Sequence, residues 1–222
     1  MGSDFEVMPI GFVGEDAPGA ALMREMAEAG MRLDYVGVLP GVSTLFSFCL
    51  IYPDGSGGNL TTDDSACARL TGDDVAKAEP EFQRLRGQGL LLAVPEVGLD
   101  ARAAALDLAT RHECFRSASF TAGEIGLPEV RPMIRQTDLL AINLNEAAAF
   151  CGWEEEAPPE RIVKEAVAKA RELQPRVWVA ITGGRRGSWC WDGTGLCHRP
   201  VCPVEVAGTS GAGDAFFAGF LA

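Results

Sequence analysis

The chain has 222 residues, 47% of them hydrophobic and 23% charged, which is typical of a globular domain with a sizeable core. Its 19 basic and 31 acidic residues give a net charge of −12 without a basic cluster, which argues against nucleic acid or an anionic membrane as a partner. An odd number of cysteines, seven, without a Cys-x-x-Cys pair fits a reducing, cytoplasmic location better than a disulfide or zinc framework.

The N-terminal part predicts a strand followed by a helix. Ile10–Gly14 has the composition of a short strand, and the apolar spacing in Ala17–Ala29 predicts a helix that ends at Gly30. Glu15 and Asp16 precede that helix, and we interpret them as its acidic N-terminus, without a ligand.

The next stretch predicts a hairpin. Thr44–Tyr52 alternates with apolar residues on both faces, Pro53-Asp54-Gly55 is a turn signal, and a weaker return strand is expected near Asn59–Thr62. We expect an exposed apolar patch formed either by Phe46, Phe48 and Tyr52 or by Leu45 and Ile51. Two strands are too few to be stable alone, so this hairpin needs either another subunit or its own domain as a packing surface.

The C-terminal part alternates buried strands with helices. Three continuous apolar runs, Leu90–Val94, Leu139–Ile142 and Val177–Ile181, are typical of strands buried on both faces, and helices are expected at Ala101–Arg111 and Ala157–Leu173. Such alternation predicts right-handed βαβ units and therefore an α/β fold with a mostly parallel sheet.

Polar and glycine-rich segments follow two of these strands. Asn143-Leu144-Asn145-Glu146 reads either as a helix cap with a carboxylate in the first turn or as a ligand site. Thr182-Gly183-Gly184-Arg185-Arg186-Gly187 reads either as a glycine hairpin or as a segment that a ligand approaches closely. Because the carboxyl ends of parallel strands meet at one edge of a sheet, we expect the strands that end near Val94, Ile142 and Ile181 to lie side by side, with Asn143 and Thr182 on the same edge as Gly211–Gly213.

The stretch from Gly208 to Phe220 carries the most specific motif. In Gly211-Ala212-Gly213, successive backbone N–H groups can converge on an anion at the start of a helix, most often phosphate. Asp214 is then a carboxylate beside an anion, suited to accept a proton from an attacking hydroxyl. A glycine-rich helix start chosen for close packing is the alternative.

This segment resembles the Asp-Thr-x-Gly-Ala-Gly-Asp signature of the ribokinase-like, PfkB-type carbohydrate kinases. The resemblance extends from about Ile10 to Ala222 and includes Asn143/Glu146 and Thr182/Gly187. It implies a ribokinase-like three-layer sandwich with a small β lid, so that residues 1–222 form a single kinase domain with a lid hairpin at about 33–65. The lid implies a possible homodimer.

The resemblance also implies a function, which is ATP- and Mg²⁺-dependent phosphorylation of a sugar or sugar-like alcohol. In this scheme Asp214 is the base, and Gly211, Ala212 and Gly213 stabilise the transferring phosphoryl group. Glu146 binds Mg²⁺ through water and contributes with Asn143 to the nucleotide site, and Glu96 is a weakly matched sugar contact. The remaining nucleotide contacts implied are Thr182, Gly184, Gly187 and Thr209.

The sequence departs from the family pattern at two points. Gly208 stands where the signature usually has Asp, which makes activation by a monovalent cation doubtful. The chain is also short at both ends relative to the family, which leads us to expect a truncated kinase. A nucleoside kinase of the same superfamily and a non-catalytic nucleotide- or sugar-binding protein remain as alternatives.

Overall fold

The computed structural model describes residues 5–51, 57–153, 157–204 and 211–221. In the described part of the chain, ten strands and eight α-helices follow one another, with 3-10 turns at Cys67–Arg69 and Gly184–Arg186. In chain order they are β1 Ile10–Gly14, α1 Ala17–Glu28, β2 Tyr35–Leu39, β3 Ser47–Ile51, β4 Gly57–Thr61, α2 Gly72–Ala76, α3 Glu79–Arg84, β5 Leu90–Ala93, α4 Leu99–Arg111, β6 Phe115–Ala118, α5 Val130–Gln136, β7 Leu139–Asn143, α6 Leu144–Cys151, α7 Pro159–Leu173, β8 Trp178–Thr182, β9 Ser188–Trp191, β10 Leu196–Arg199 and α8 Ala212–Leu221.

The chain divides into two compact units. The first comprises residues 1–78, 96–101 and 208–222, and the second comprises residues 79–95 and 102–207. None of the helices that the structure describes is long and apolar enough to cross a membrane.

In the first unit, β1 and β2 pair in parallel, and Asp16 begins helix α1. Asp16 Oδ1 accepts hydrogen bonds from the Gly19 amide at 2.8 Å and the Thr44 hydroxyl at 2.6 Å. Its Oδ2 accepts from the Thr44 amide at 2.8 Å. These donors lower the pKa of Asp16, the Thr44 hydroxyl most. The interpretation of Asp16 as part of a helix N-terminus is therefore confirmed.

The first unit also contains the predicted hairpin. Strands β3 and β4 pair antiparallel, from Ser47 opposite Thr61 to Ile51 opposite Gly57. Phe46, Phe48 and Leu50 are each about half exposed, at 49%, 58% and 50%, so the apolar patch predicted on this side of the strand is confirmed for Phe46 and Phe48. Tyr52, which was expected to belong to it, lies outside the described residues.

The second unit is built on a six-stranded sheet in the order β10-β9-β8-β7-β6-β5. Strands β5 to β8 are parallel to one another, and β9 and β10 continue the sheet as antiparallel strands. Strand order thus follows chain order throughout. The predicted α/β fold with a mostly parallel sheet is confirmed.

The core of this unit lies at β7 and its helices. The first four residues of β7, Leu139 to Ile142, are all buried because they face packed layers on both sides. Helix α7 buries one side, as its periodicity predicts: Ile162, Val163, Ala166, Val167 and Ala170.

One strand differs from expectation. The run Leu90–Val94 was predicted to be buried on both faces, but Leu90, Leu92 and Val94 are 42%, 47% and 43% exposed. The physical reason is position: β5 is the edge strand of the described sheet, and its alternate residues face outward. A continuous apolar run does not distinguish an edge strand from a central one.

Candidate active site

The ends of two neighbouring strands form a cleft in the second unit. Strands β7 and β8 run in register, so that Asn143 at the end of one lies beside Thr182 at the end of the other. The cleft at these ends has a volume of about 320 Å³. It is lined by Asn143, Leu144, Asn145, Thr182, Gly183, Gly184 and Arg186. The expectation that Asn143 and Thr182 share one sheet edge is confirmed. The strands that end near Val94 and Ile142 were expected to be neighbours, but β6 lies between them.

Asn143 and Glu146 form the N-terminal cap of helix α6. The Glu146 amide donates to Asn143 Oδ1 at 2.9 Å, and the Asn143 amide donates to Glu146 Oε2 at 2.7 Å. This reciprocal pair is a capping box, so the structural interpretation of these residues holds. Of the two capping residues, Asn143 also lines the cleft.

The charge on Glu146 is only partly compensated by its surroundings. Burial raises the pKa of Glu146, the hydrogen bond from the Asn143 amide lowers it, and the nearby negative charge of Glu124 raises it again. The capping bond uses Oε2, which leaves Oε1 outside the capping pair. A divalent cation held through water would offset both burial and the repulsion by Glu124.

The charge of Glu124 has its own partner. Arg102, whose side chain is 3% exposed, forms an ion pair with Glu124 and donates to the Ser119 carbonyl at 3.3 Å. The Thr121 amide donates to the other oxygen of Glu124 at 3.0 Å. The loop that follows β6 is thereby fixed near Glu146. The sequence analysis missed this pair because its members are 22 residues apart and neither belongs to a recognisable motif.

The opposite wall of the cleft is a tight turn between β8 and β9. The Gly183 amide donates to the Gly187 carbonyl at 2.8 Å, and the Gly187 amide donates to the Gly184 carbonyl at 3.0 Å. Gly184 has a φ of +55° and open space where a side chain would lie, so a ligand can approach its backbone closely. This segment is both the glycine hairpin and a wall of the cleft, and Arg185 and Arg186 are exposed, as expected.

The glycine-rich motif lies in the first unit. Gly211 has a φ of +74°, helix α8 begins at Ala212, and the Ala215 amide donates to the Gly211 carbonyl at 2.9 Å. Asp214 is exposed in the first turn of α8, with Gly213 before it. Gly208 and Thr209 lie outside the described residues.

Glu96 adopts a backbone conformation that is unusual for a residue with a side chain. Its φ is +74°, and its carbonyl accepts a hydrogen bond from the Cys67 thiol at 3.1 Å. Left-handed backbone at a non-glycine residue is more frequent at functional sites than elsewhere. The exposed side chain of Glu96 is available to a ligand.

Comparison with known proteins gives concordant results. The family model described as pfkB family carbohydrate kinase matches residues 2–222. The chain is 27% identical over 214 residues to an ATP-dependent ribose-1-phosphate kinase of Halopiger xanaduensis, covering 96% of this chain but only 65% of that protein's length.

Solved structures share the fold. The ribokinase of Giardia lamblia superposes with a TM-score of 0.83 at 19% identity, over 96% of this chain and 66% of that chain. The ribokinase of Arabidopsis thaliana, solved with ribose and ATP, gives a TM-score of 0.75 at 23% identity, over 97% of this chain and 68% of that chain.

Proposed function

This chain belongs to the pfkB family of carbohydrate kinases, and on that premise we propose that it transfers a phosphoryl group from ATP to a hydroxyl of a sugar or sugar-like substrate. The relatives are longer than this chain, so the proposal concerns the activity to which these 222 residues contribute. We treat residues 1–222 as one kinase domain with a lid at about 33–65.

One structural observation supports this function beyond family membership. The polar ends of β7 and β8 line a single cleft, with the capped start of helix α6 on one side and a glycine turn on the other. A nucleotide phosphate needs closely approachable backbone and a cation: the glycine turn supports the first, and Glu146, in the first turn of helix α6, is the carboxylate we propose for the second. We therefore assign Asn143 and Glu146 to Mg²⁺-nucleotide binding, and Thr182, Gly184, Gly187 and Thr209 to the nucleotide.

The chemical step is assigned to the segment at the start of α8. Asp214 accepts the proton of the acceptor hydroxyl. At the same time the oxygen of that hydroxyl forms a bond to the γ-phosphorus of ATP, and the bond between this phosphorus and the departing ADP breaks. The amides of Gly211, Ala212 and Gly213 stabilise the charge on the transferring group. Mg²⁺, when bound, neutralises charge on the phosphates.

Separate observations support the proposed sugar acceptor, the proposed location of the protein and its proposed assembly as a homodimer. Because relatives phosphorylate ribose-1-phosphate or bind ribose, a pentose or pentose derivative is the first acceptor class to test, with Glu96 as a contact to its hydroxyls. The odd number of cysteines, without a Cys-x-x-Cys pair, supports a reducing, cytoplasmic location. The exposed face of the β3–β4 hairpin supports a homodimer.

The test is an assay of phosphoryl transfer from ATP to each of a panel of acceptors. The release of ADP is the measured quantity. The panel contains ribose, ribose-1-phosphate, hexoses, amino-sugar derivatives and nucleosides, each with and without Mg²⁺. We expect Mg²⁺-dependent ADP release with a sugar. Turnover of nucleosides alone would favour a nucleoside kinase, and nucleotide binding without turnover of any acceptor would favour a non-catalytic protein.

A further inference from the structure

The β9–β10 hairpin contacts the turn that forms one wall of the cleft. His198 on β10 lies directly opposite Trp189 on β9, and their rings stack with centroids 4.6 Å apart and planes inclined by 26°. The same histidine reaches the turn, since its Nε2 lies 2.9 Å from the carbonyl oxygen of Arg186. A carbonyl oxygen only accepts, so Nε2 must carry the hydrogen and donate it.

This hydrogen bond acts on a peptide unit that already takes part in the turn. The Arg186 carbonyl and the Gly187 amide belong to one planar peptide group, and that amide donates to the Gly184 carbonyl. Fixing the Arg186 carbonyl therefore also fixes the amide that closes the turn. The residues of this turn, Gly184 to Arg186, include two that line the cleft, Gly184 and Arg186.

Trp189, the residue on which His198 stacks, links the histidine to the side of the cleft formed by helix α6. Trp189 is buried and packs against Gly183, where an added Cβ would lie 2.7 Å from the ring atom Cζ3. The same added Cβ would lie 2.9 Å from Cδ1 of Leu144, the first residue of α6. Gly183 and Leu144 both line the cleft. A stacked pair on the hairpin thus supports the glycine turn on one side and adjoins α6 on the other.

We propose that His198 is a positioning residue for nucleotide binding, acting through its Nε2–H bond to the Arg186 carbonyl, while the stack on Trp189 orients its ring. It does not touch the ligand. It holds the backbone of Gly184–Arg186 in the conformation that the phosphates meet, so that binding does not have to order this turn. This role rests on the proposed function, because it assigns the cleft to the nucleotide.

Three substitutions separate the two contacts of His198. His198→Phe keeps a ring against Trp189 and removes the donor, His198→Gln keeps a donor and removes the ring, and His198→Ala removes both. The control is His112→Phe, since His112 is the other histidine of the chain, bonds to Glu79 at 3.1 Å and is not among the residues lining the cleft. Thermal unfolding establishes that each variant is folded at the assay temperature.

The measurements are calorimetric titration with Mg²⁺ and a non-hydrolysable ATP analogue, amide exchange at Arg186 and Gly187, and steady-state kinetics. We expect Kd for the analogue and KM for ATP to rise roughly 3- to 10-fold in His198→Phe and His198→Ala, as the loss of one hydrogen bond predicts. We expect kcat to stay within about twofold, His198→Gln to recover most of the affinity, and His112→Phe to match the wild type.

The outcomes distinguish a failure of the proposed role of His198 from a failure of the proposed function. A wild-type protein that binds no adenine nucleotide overturns the proposed function and the role of His198 with it. A wild type that binds, with His198→Phe binding equally well, overturns the role of His198 alone, even if amide exchange at Gly187 increases. If His198→Phe does not fold, a folded His198→Gln that binds as weakly as His198→Ala overturns the role of the donor.

Discussion

Asp16 and Glu146 both accept hydrogen bonds at the start of a helix, yet their electrostatic environments differ. Asp16 receives three hydrogen bonds, two of them from Thr44, and its pKa is lowered. Glu146 is more buried, lies near the charge of Glu124, and its pKa is raised. An ionised Asp16 is already compensated within the protein, whereas an ionised Glu146 gains from an external cation. This contrast supports the proposal that Glu146, and not Asp16, contributes to a cation site.

The lowered pKa of Asp16 predicts a pH-dependent contribution to stability. Because the folded state holds this carboxyl below its ordinary pKa of 3.8, the stabilisation is present above that value and is lost as pH falls through the folded pKa. Asp16→Asn keeps an acceptor for the Gly19 amide but loses the acceptor for the Thr44 amide. We expect its urea midpoint to fall clearly below the wild type at about pH 7 and to approach it as pH falls well below 3.8.

The matched control for Asp16 is Asp63→Asn, which makes the same charge change at an exposed position. Its urea midpoint is expected to stay close to the wild type at both pH values. A deficit in Asp16→Asn that is equal at both pH values would contradict the electrostatic origin of the effect.

Asp214→Asn tests the base assigned to the chemical step. The substitution keeps the size of the side chain and removes its capacity to accept the proton, so kcat should fall by at least ~100-fold. Because Asp214 is exposed in the first turn of α8, the fold should tolerate the change. Calorimetric nucleotide affinity should change little, and Asp73→Asn, at another exposed position, should retain full turnover. Near-normal turnover in Asp214→Asn would remove this residue from the mechanism.

Among the elements, the turn between β8 and β9 depends on two glycines for different reasons. Gly187 has a φ of +85°, and an added Cβ would lie 2.1 Å from the Arg199 carbonyl oxygen on β10. Gly184 has a φ of +55° but nothing within 4 Å of an added Cβ. The first glycine is required by the packing of β10 on the turn, and the second by backbone conformation alone.

Alanine substitutions at these two positions should therefore differ in effect. Gly187→Ala requires β10 to move, and we expect a loss of more than ~2 kcal/mol in the free energy of unfolding. Gly184→Ala bears only the cost of left-handed backbone, about 1 kcal/mol, and should weaken nucleotide binding because the methyl group projects where a ligand approaches. Urea unfolding and calorimetry measure the two quantities. Equal losses of stability would contradict the packing explanation.

How far the elements could be predicted depends on how local their stabilising contacts are. Strand β7 and helix α7 have the hydrophobic patterns of buried elements, and both were predicted. Strand β6, Phe-Arg-Ser-Ala, was not predicted, because Arg116 interrupts its apolar run. In the fold, the Arg116 guanidinium pairs with Asp138 at 2.7 and 2.8 Å, a partner 22 residues away that no local pattern reveals.

In the candidate site, too, some contacts could be predicted from the sequence and others could not. The polar residues that end β7 and β8 were predicted to share an edge, because topology brings the ends of parallel strands together. The link from His198 to Arg186 was not predictable, since it depends on the register of β10 on β9 and joins residues 12 positions apart. Asp214, Glu96 and the individual nucleotide contacts stay predictions.

At the scale of the whole molecule, the exposed face of the β3–β4 hairpin predicts self-association. Phe46 and Phe48 pack edge to face with ring centroids 4.7 Å apart, and with the half-exposed Leu50 they form an apolar surface. Phe48→Asp should raise the dissociation constant of a homodimer by about tenfold or more, as measured by sedimentation over a range of concentrations. The control Val201→Asp alters an exposed apolar residue of the other unit and should associate like the wild type. A wild type that is monomeric at every concentration would contradict the lid dimer.

The strand order of the second unit has a consequence for how the chain acquires its structure. From β5 to β10, every strand hydrogen-bonds to a strand next to it in sequence, so the sheet can grow in chain order while the ribosome is still adding residues. The first unit instead includes helix α8, so it is complete only after residues 211–221 have been made. In pulse-labelled refolding we expect amide protection in β7 and β8 before protection in α8. The segment proposed for the chemical step would then order only after the sheet has formed.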